Sequence, residues 1–180
     1  MKLSDNFSLD EFTKSQTALR NDIDNTPNKT QLNNLKALCT NILQPIRNYY
    51  LMPVIISSGF RCTALNKMIG GSSSSQHTEG KAADIEIFGV KNNELSDWIH
   101  TNCSFDQLIL EFYDGVNPNS GWVHVSFCSE KNRHEYKQAT RNKEGRVVYT
   151  LRWVLVVVKW GNKYPNLLRK KSGQEKEKLV

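Results

Sequence analysis

The chain has 180 residues and a net charge of +6, enough for one domain with its own core plus a short appendage, and too little for two large domains. Its longest apolar run, Val154 to Val158, falls far short of the roughly 20 residues that cross a bilayer. The four cysteines, Cys39, Cys62, Cys103 and Cys128, include no Cys-x-x-Cys pair, which excludes a zinc ribbon or a dithiol redox motif.

The charge is unevenly placed: residues 141–180 carry 11 Lys/Arg against 3 Asp/Glu, whereas residues 1–140 carry 13 against 15. The opening Met-Lys-Leu-Ser-Asp-Asn has neither the apolar run nor the small-residue cleavage site of a secretory signal, so a chain that is cytoplasmic as synthesised is expected.

In chain order, Ser8-Leu-Asp-Glu11 has the form of a capping box and predicts a helix start anchored by Phe7, Leu9 and Phe12. Between Thr30 and Tyr50, Leu32, Leu35, Leu38, Cys39, Ile42, Leu43 and Ile46 recur mostly at spacings of three and four, the pattern of a long core-facing helix that Pro45 kinks or shortens. Val54-Ile-Ile-Ser reads as a buried strand, and Leu65, Met68 and Ile69 as a helix ended by Gly70-Gly71.

A small polar loop, Ser72 to Gln76, then leads through His77 to Ala82–Ile87. Alternation there puts Asp84 and Glu86 on one strand face and Ala83, Ile85 and Ile87 on the other. Asn92 or Asn93 is placed to cap a helix bearing Leu95, Trp98 and Ile99. Two further strands are predicted over residues 107–112 and 122–127, around a Gly/Asn/Pro-rich loop. His100 and His134 read as surface histidines, and Asp106 and Asp114 as capping or turning residues without chemistry.

The expected fold is α+β, with N-terminal helices packed on a small antiparallel sheet. The expected division is a domain over 1–140 and a basic extension over 141–180. Residues 146–160 of that extension read as a strand or hairpin packed by Trp153 and Trp160, and the polar run from Asn166 onward as disordered.

A catalytic zinc site takes His, Asp or Glu ligands and keeps one position open. His77 follows a Gly/Ser loop, Asp84 lies on the polar face of the next strand, and His124 shares a face with Trp122 and Ser126, so adjacent strands would bring Asp84 and His124 together. On periodicity alone the reading stays open, because a lone strand histidine is more often a hydrogen-bonded structural residue than a ligand.

The wording of the segments adds to this. Ser57-Ser-Gly-Phe-Arg-Cys62, Leu65-Asn66, Gly70-Gly71, Ser75-Gln-His77, Gly80-Lys-Ala-Ala-Asp84-Ile and Trp122-Val-His124-Val-Ser126 occur in order. Together they resemble the zinc D-Ala-D-Ala carboxypeptidase family of peptidoglycan peptidases, especially its small single-domain phage and bacterial members, over most of residues 3–138. The resemblance implies that His77, Asp84 and His124 hold Zn2+ on the sheet, and that the substrate is a peptidoglycan peptide. It implies either a carboxypeptidase or an endolysin-type endopeptidase, reaching the cell wall after release or export.

Many relatives carry an acidic residue three positions before the last histidine, where this chain has Gly121. Glu111, alternating away from Leu108, Leu110 and Phe112, is the replacement expected to act as general base. Arg61 is expected in catalysis and substrate binding through its planar guanidinium, with Ser75 and Gln76 offering hydrogen bonds to substrate. A rival reading, prompted by Gly121, keeps the zinc but makes the chain a non-catalytic wall-binding or regulatory module. The basic tail suits contact with anionic polymers, with no specific nucleic acid and no membrane span expected.

Overall fold

A computed structural model describes residues 1–152 and the backbone of residues 154–158, 166–170 and 177–178. The helical elements come first: α1 (Leu9–Thr13), α2 (Gln16–Arg20), α3 (Lys29–Leu38), a π-helical turn (Cys39–Leu43) and α4 (Gln44–Tyr50). At the head of α1, the Glu11 carboxylate accepts the Ser8 backbone N–H at 2.7 Å and the Ser8 hydroxyl at 2.9 Å. The α3 start is a reciprocal box, Asn28 accepting from the Gln31 N–H at 3.0 Å and Gln31 accepting from the Asn28 N–H at 2.8 Å.

The break expected at Pro45 is the π-helical turn just before it. Proline has no N–H and its ring crowds the carbonyl four residues back, and a widened turn relieves both without bending the chain out of the core. Leu35, Leu38, Cys39, Ile42, Leu43 and Ile46 all stay fully buried across the join.

There follow β1 (Ile55–Ser58), α5 (Thr63–Met68), a 3-10 turn (Gln76–Glu79), β2 (Ala82–Glu86) and α6 (Asn92–Asn102). The cap of α6 is Lys91, not an asparagine. The Asn92 side chain instead donates to the carbonyls of Ser120 and Gly121 at 3.2 and 3.1 Å, tying the helix to the loop before the next strand. His100, expected at the surface, is 8% exposed and stacks on Tyr136 with ring centroids 4.9 Å apart, because the α6 face that carries Ile99 also packs on the sheet. His134 is exposed, as expected.

The remaining strands are β3 (Gln107–Glu111), β4 (Trp122–Ser126), β5 (Glu135–Arg141) and β6 (Val147–Leu151). Among the described residues, β1 to β6 form one sheet in the order β1-β2-β4-β3-β5-β6. The fold is α+β, but the sheet is mixed where an antiparallel one was expected, since β5 runs parallel to β3. The cause is the short return from β4. An antiparallel β4 ends beside the beginning of β3, so a strand started there on β3's free edge must run with β3. The Glu135 N–H closes this junction on the Asp106 carbonyl at 3.0 Å.

Ala83, Ile85, Leu108, Leu110, Val123, Val125 and Tyr136 face the helices and make the core. The hairpin read in the C-terminal region starts earlier than expected, with β5 and β6 turning at Asn142, whose side chain accepts the N–H groups of Glu144 and Arg146 at 3.1 and 2.9 Å.

β7 (Val154–Val158), β8 (Asn166–Lys170) and β9 (Glu177–Lys178) pair in a second, antiparallel sheet. The disorder expected from Asn166 onward therefore meets strand backbone at β8 and β9. The rest of that tail, and the Trp153 and Trp160 pair, lie outside the described residues. No helix among the described residues is long and apolar enough to cross a membrane.

Tyr136 links core and hairpin: its buried hydroxyl donates to Asp97 at 2.5 Å and accepts from Arg152 Nε at 2.7 Å. Tyr136→Phe removes both bonds and a third, with the fully buried Ser96 hydroxyl at 2.8 Å, so it is expected to destabilise by about 2 kcal/mol. In thermal denaturation that corresponds to a drop of about 4–8 °C.

Candidate functional site

The open face of the sheet, away from the helices, carries the polar cluster. The β2–β4 register places Asp84 directly opposite His124, with Ala83 opposite Val125 and Ile85 opposite Val123 on the core face. His77 arrives from the side on the 3-10 turn, and α3 fixes that turn. The Gln31 and Asn34 side chains donate to the carbonyls of Thr78 and Glu79 at 2.9 and 2.8 Å. Gly80 closes the turn at φ +70°, and a Cβ there would stand 2.5 Å from the Gln31 carbonyl oxygen, so only glycine permits so close an approach.

The Ser-Gly-Phe-Arg segment supports the cluster from below. Gly59 packs so tightly on α1 that a Cβ would meet the Phe12 backbone at 2.6 Å, and its carbonyl accepts from His77 Nδ1 at 2.7 Å. That bond orients the ring so that His77 Nε2 faces the cluster. Arg61 Nη2 donates to Asp84 Oδ2 at 3.0 Å while its Nε donates to the Ser58 hydroxyl at 2.9 Å.

His77 Nε2, Asp84 Oδ1 and His124 Nδ1 converge. The separations are 2.9 Å from Asp84 to His124, 3.3 Å from Asp84 to His77 and 3.2 Å between the two ring nitrogens. Their residues are 3%, 7% and 7% exposed. Burial alone would raise the Asp84 carboxyl, but the neighbouring His77 charge and the hydrogen bonds from His124 and His77 hold it well below the usual carboxylate range.

The set fits a divalent metal, with spacings that a tetrahedral zinc site would accept. Ligand bonds of about 2.0–2.2 Å in tetrahedral geometry put donor atoms roughly 3.3 Å apart, close to the separations found. Two borderline imidazoles and one hard carboxylate are a donor set that zinc accepts.

A cleft of about 460 Å³ opens over this cluster. Every residue singled out from sequence lines it: Arg61, Ser75, Gln76, His77, Asp84, Glu111 and His124. Glu111 lies on β3 opposite Trp122 of β4. Burial raises its carboxyl above the ordinary range, the His124 charge opposing and the Asp84 charge reinforcing that shift.

Gly121 sits at φ +66°, and a Cβ there would fall 1.8 Å from the Glu111 carbonyl oxygen. The backbone that carries Glu111 therefore excludes any side chain at position 121, where the family resemblance would have placed an acid.

The cleft also contains residues the sequence did not single out for it: Arg133, Tyr149 and the indole of Trp122, whose buried Nε1 has no partner among the described residues. Asp106, expected only to turn the chain, is 3% exposed and is gripped by Arg133 from Nε at 2.9 and 3.1 Å and from Nη2 at 2.6 Å. Gln76 gives its amide N–H to the same carboxylate at 2.7 Å, which leaves its carbonyl oxygen, not its amino group, for other partners. Trp122 was within reach of alternation, since it shares the His124 face. Arg133 and Tyr149 depend on long-range pairing of β5 and β6 and carry no local signal.

The sequence model of one family, described as Peptidase M15, matches residues 5–126, a span that contains Arg61, His77, Asp84, Glu111 and His124 but neither Arg133 nor Tyr149. No curated protein matches the chain.

Two predictions follow from this geometry. Gly121→Asp adds a carboxylate where the family resemblance would place one, yet it is expected to destabilise by about 3 kcal/mol through φ strain and the clash with Glu111, seen as a fall in Tm of about 6–12 °C. The second concerns acid. Burial opposes ionisation of Asp106, but hydrogen bonds from Arg133 and Gln76 prevail and lower its pKa to about 2. A lowered folded-state pKa stabilises above the unfolded value and loses that stability as pH falls through the folded one. Between pH 5 and pH 2 the wild type should therefore lose about 2 kcal/mol more than Asp106→Asn in urea unfolding.

Proposed function

The chain belongs to the Peptidase M15 family, and from that premise we propose that it is a zinc peptidase that cleaves peptide bonds of bacterial peptidoglycan, as a D-Ala-D-Ala carboxypeptidase or an endolysin-type endopeptidase. The observation that carries this reading is the convergence of His77, Asp84 and His124 in one cleft with Glu111. His77, Asp84 and His124 would hold the ion. When bound, zinc supplies Lewis acidity and lowers the pKa of water from about 15.7 to near 7.

The chain's own residues do the rest. Glu111 takes a proton from the attacking water and hands it to the leaving amine nitrogen as the carbon–nitrogen bond breaks. A carboxylate whose proton affinity is raised by burial suits both halves of that transfer. Arg61 has one Nη on Asp84 and its Nε on Ser58, so its guanidinium is fixed where the cleft opens and can hold a substrate oxygen. The Ser75 hydroxyl and Gln76 carbonyl add polar contacts at the wall that leads into His77, and Trp122 supplies an apolar one.

The test is mass spectrometry of purified peptidoglycan fragments after incubation with the zinc-loaded protein, the chelated protein, Glu111→Gln and His124→Ala. A new peptide product that requires zinc is expected. Glu111→Gln should keep stoichiometric zinc while cleavage slows by about 10²–10⁴-fold, and His124→Ala should lose both. Stoichiometric zinc in a wild type that yields no product would replace the enzyme reading with the non-catalytic wall-binding module.

A further inference from the structure

The cleft runs across the strands. In the sheet order β1-β2-β4-β3-β5-β6, Arg61 lies just past β1, Asp84 on β2, His124 on β4, Glu111 on β3 and Tyr149 on β6, and all of them line one cleft. Beyond Glu111 the cleft therefore continues over the β5–β6 hairpin. That stretch has no part in the proposed reaction, and it lies outside the segment matched by the family.

Register sets what the stretch presents. Glu111 pairs with Ala139 of β5, and Ala139 pairs with Tyr149 of β6, so the three side chains leave the same sheet face in one row. Ala139 raises only a methyl between its neighbours, and the Tyr149 ring reaches the cleft across it. Val147 and Leu151 alternate onto that face as well. Val147, Tyr149 and Leu151 are 40%, 54% and 50% exposed. Among the described residues nothing hydrogen-bonds the Tyr149 hydroxyl. Burial and, after it, the Glu111 charge push that hydroxyl's pKa up, so it stays protonated and can donate as well as accept. The wall itself is firm: the Phe112 N–H donates to the Ala139 carbonyl at 2.9 Å, and the Arg141 guanidinium lies 4.9 Å over the Phe112 ring.

Distance decides which part of a substrate meets this wall. β6 lies two strand spacings past Glu111, about 10 Å, a span that an extended chain covers in about three residues. A single leaving residue stops short of it. We infer that Tyr149 is a specificity-determining residue that holds an extended peptide about two or three residues from the scissile bond, its hydroxyl hydrogen-bonded to the peptide backbone and its ring against a side chain. The inference rests on the peptidase reading for where the bond is cut. It makes recognition depend on peptide length, through a hairpin that the family segment does not contain.

The test is a calorimetric titration of the full, zinc-loaded chain carrying Glu111→Gln, which reads binding without cleavage. The probes are two nested sets of synthetic stem peptides, one shortened from the amino end of the pentapeptide and one from its carboxyl end. In at least one set, affinity should step up about tenfold at a single added residue. Tyr149→Ala should abolish that step. Tyr149→Phe keeps the ring over Ala139 and should lower the step to about threefold. Peptides shorter than the step should bind all three forms alike, which a misfolded variant would not do. Affinities that fall equally at every length, a step that survives Tyr149→Ala, or the absence of any step overturns the inference. A peptidoglycan digest without product would instead overturn the peptidase reading and leave the titration unaffected.

Discussion

The register between β2 and β4 is the constraint on which the site depends. Pairing Asp84 with His124 sends a carboxylate and an imidazole out of the same sheet face while Ile85 and Val123 go into the core. A slip of one residue would bury the two polar groups and expose the two apolar ones. The hydrophobic core and the polar cluster are thus two readings of a single alternation, and burial of the one side enforces assembly of the other.

The cluster's third member is held by different means. His77 is not on a strand, and its place is set by contacts from three directions: α3 grips the 3-10 turn, the Gly59 carbonyl orients the ring, and Arg61 joins the His77 carbonyl through its own N–H at 3.2 Å. Two glycines make this possible, since Gly59 and Gly80 each lie where a Cβ would meet backbone at 2.6 and 2.5 Å. A site built on a rigid sheet and a clamped turn needs little rearrangement to receive an ion.

What could be read from the sequence was whatever local periodicity controls. Alternation put Asp84 and Glu111 away from the core, and the six-residue gap between His77 and Asp84 is local as well. The elements that depend on distant partners were not legible. The parallel pairing of β5 with β3 follows from where β4 happens to end, and only that pairing brings Arg133 and Tyr149 to the cleft. Asn92 looked like a cap by residue type, yet the carbonyls of Ser120 and Gly121 lie within its reach and claim it. The π-helical turn likewise answers to Pro45 and to a core that keeps Cys39, Ile42 and Leu43 fully buried.

The same dependence explains how Gly121 and Glu111 bear on one another. A glycine where the family resemblance leads one to expect an acid suggests, in sequence, a missing function. In three dimensions Gly121 is the residue against which the Glu111 backbone packs, at a distance that no side chain tolerates. The loss of one carboxylate and the placement of the other are then a single structural fact: the close approach of β3 to the start of β4 that excludes a side chain at 121 also sets Glu111 across from Trp122 and into the cleft with His77, Asp84 and His124. A carboxylate supplied from the neighbouring strand occupies that cleft on a backbone paired on both sides, to β4 and to β5, which is a stiffer mount than the glycine-rich loop could offer.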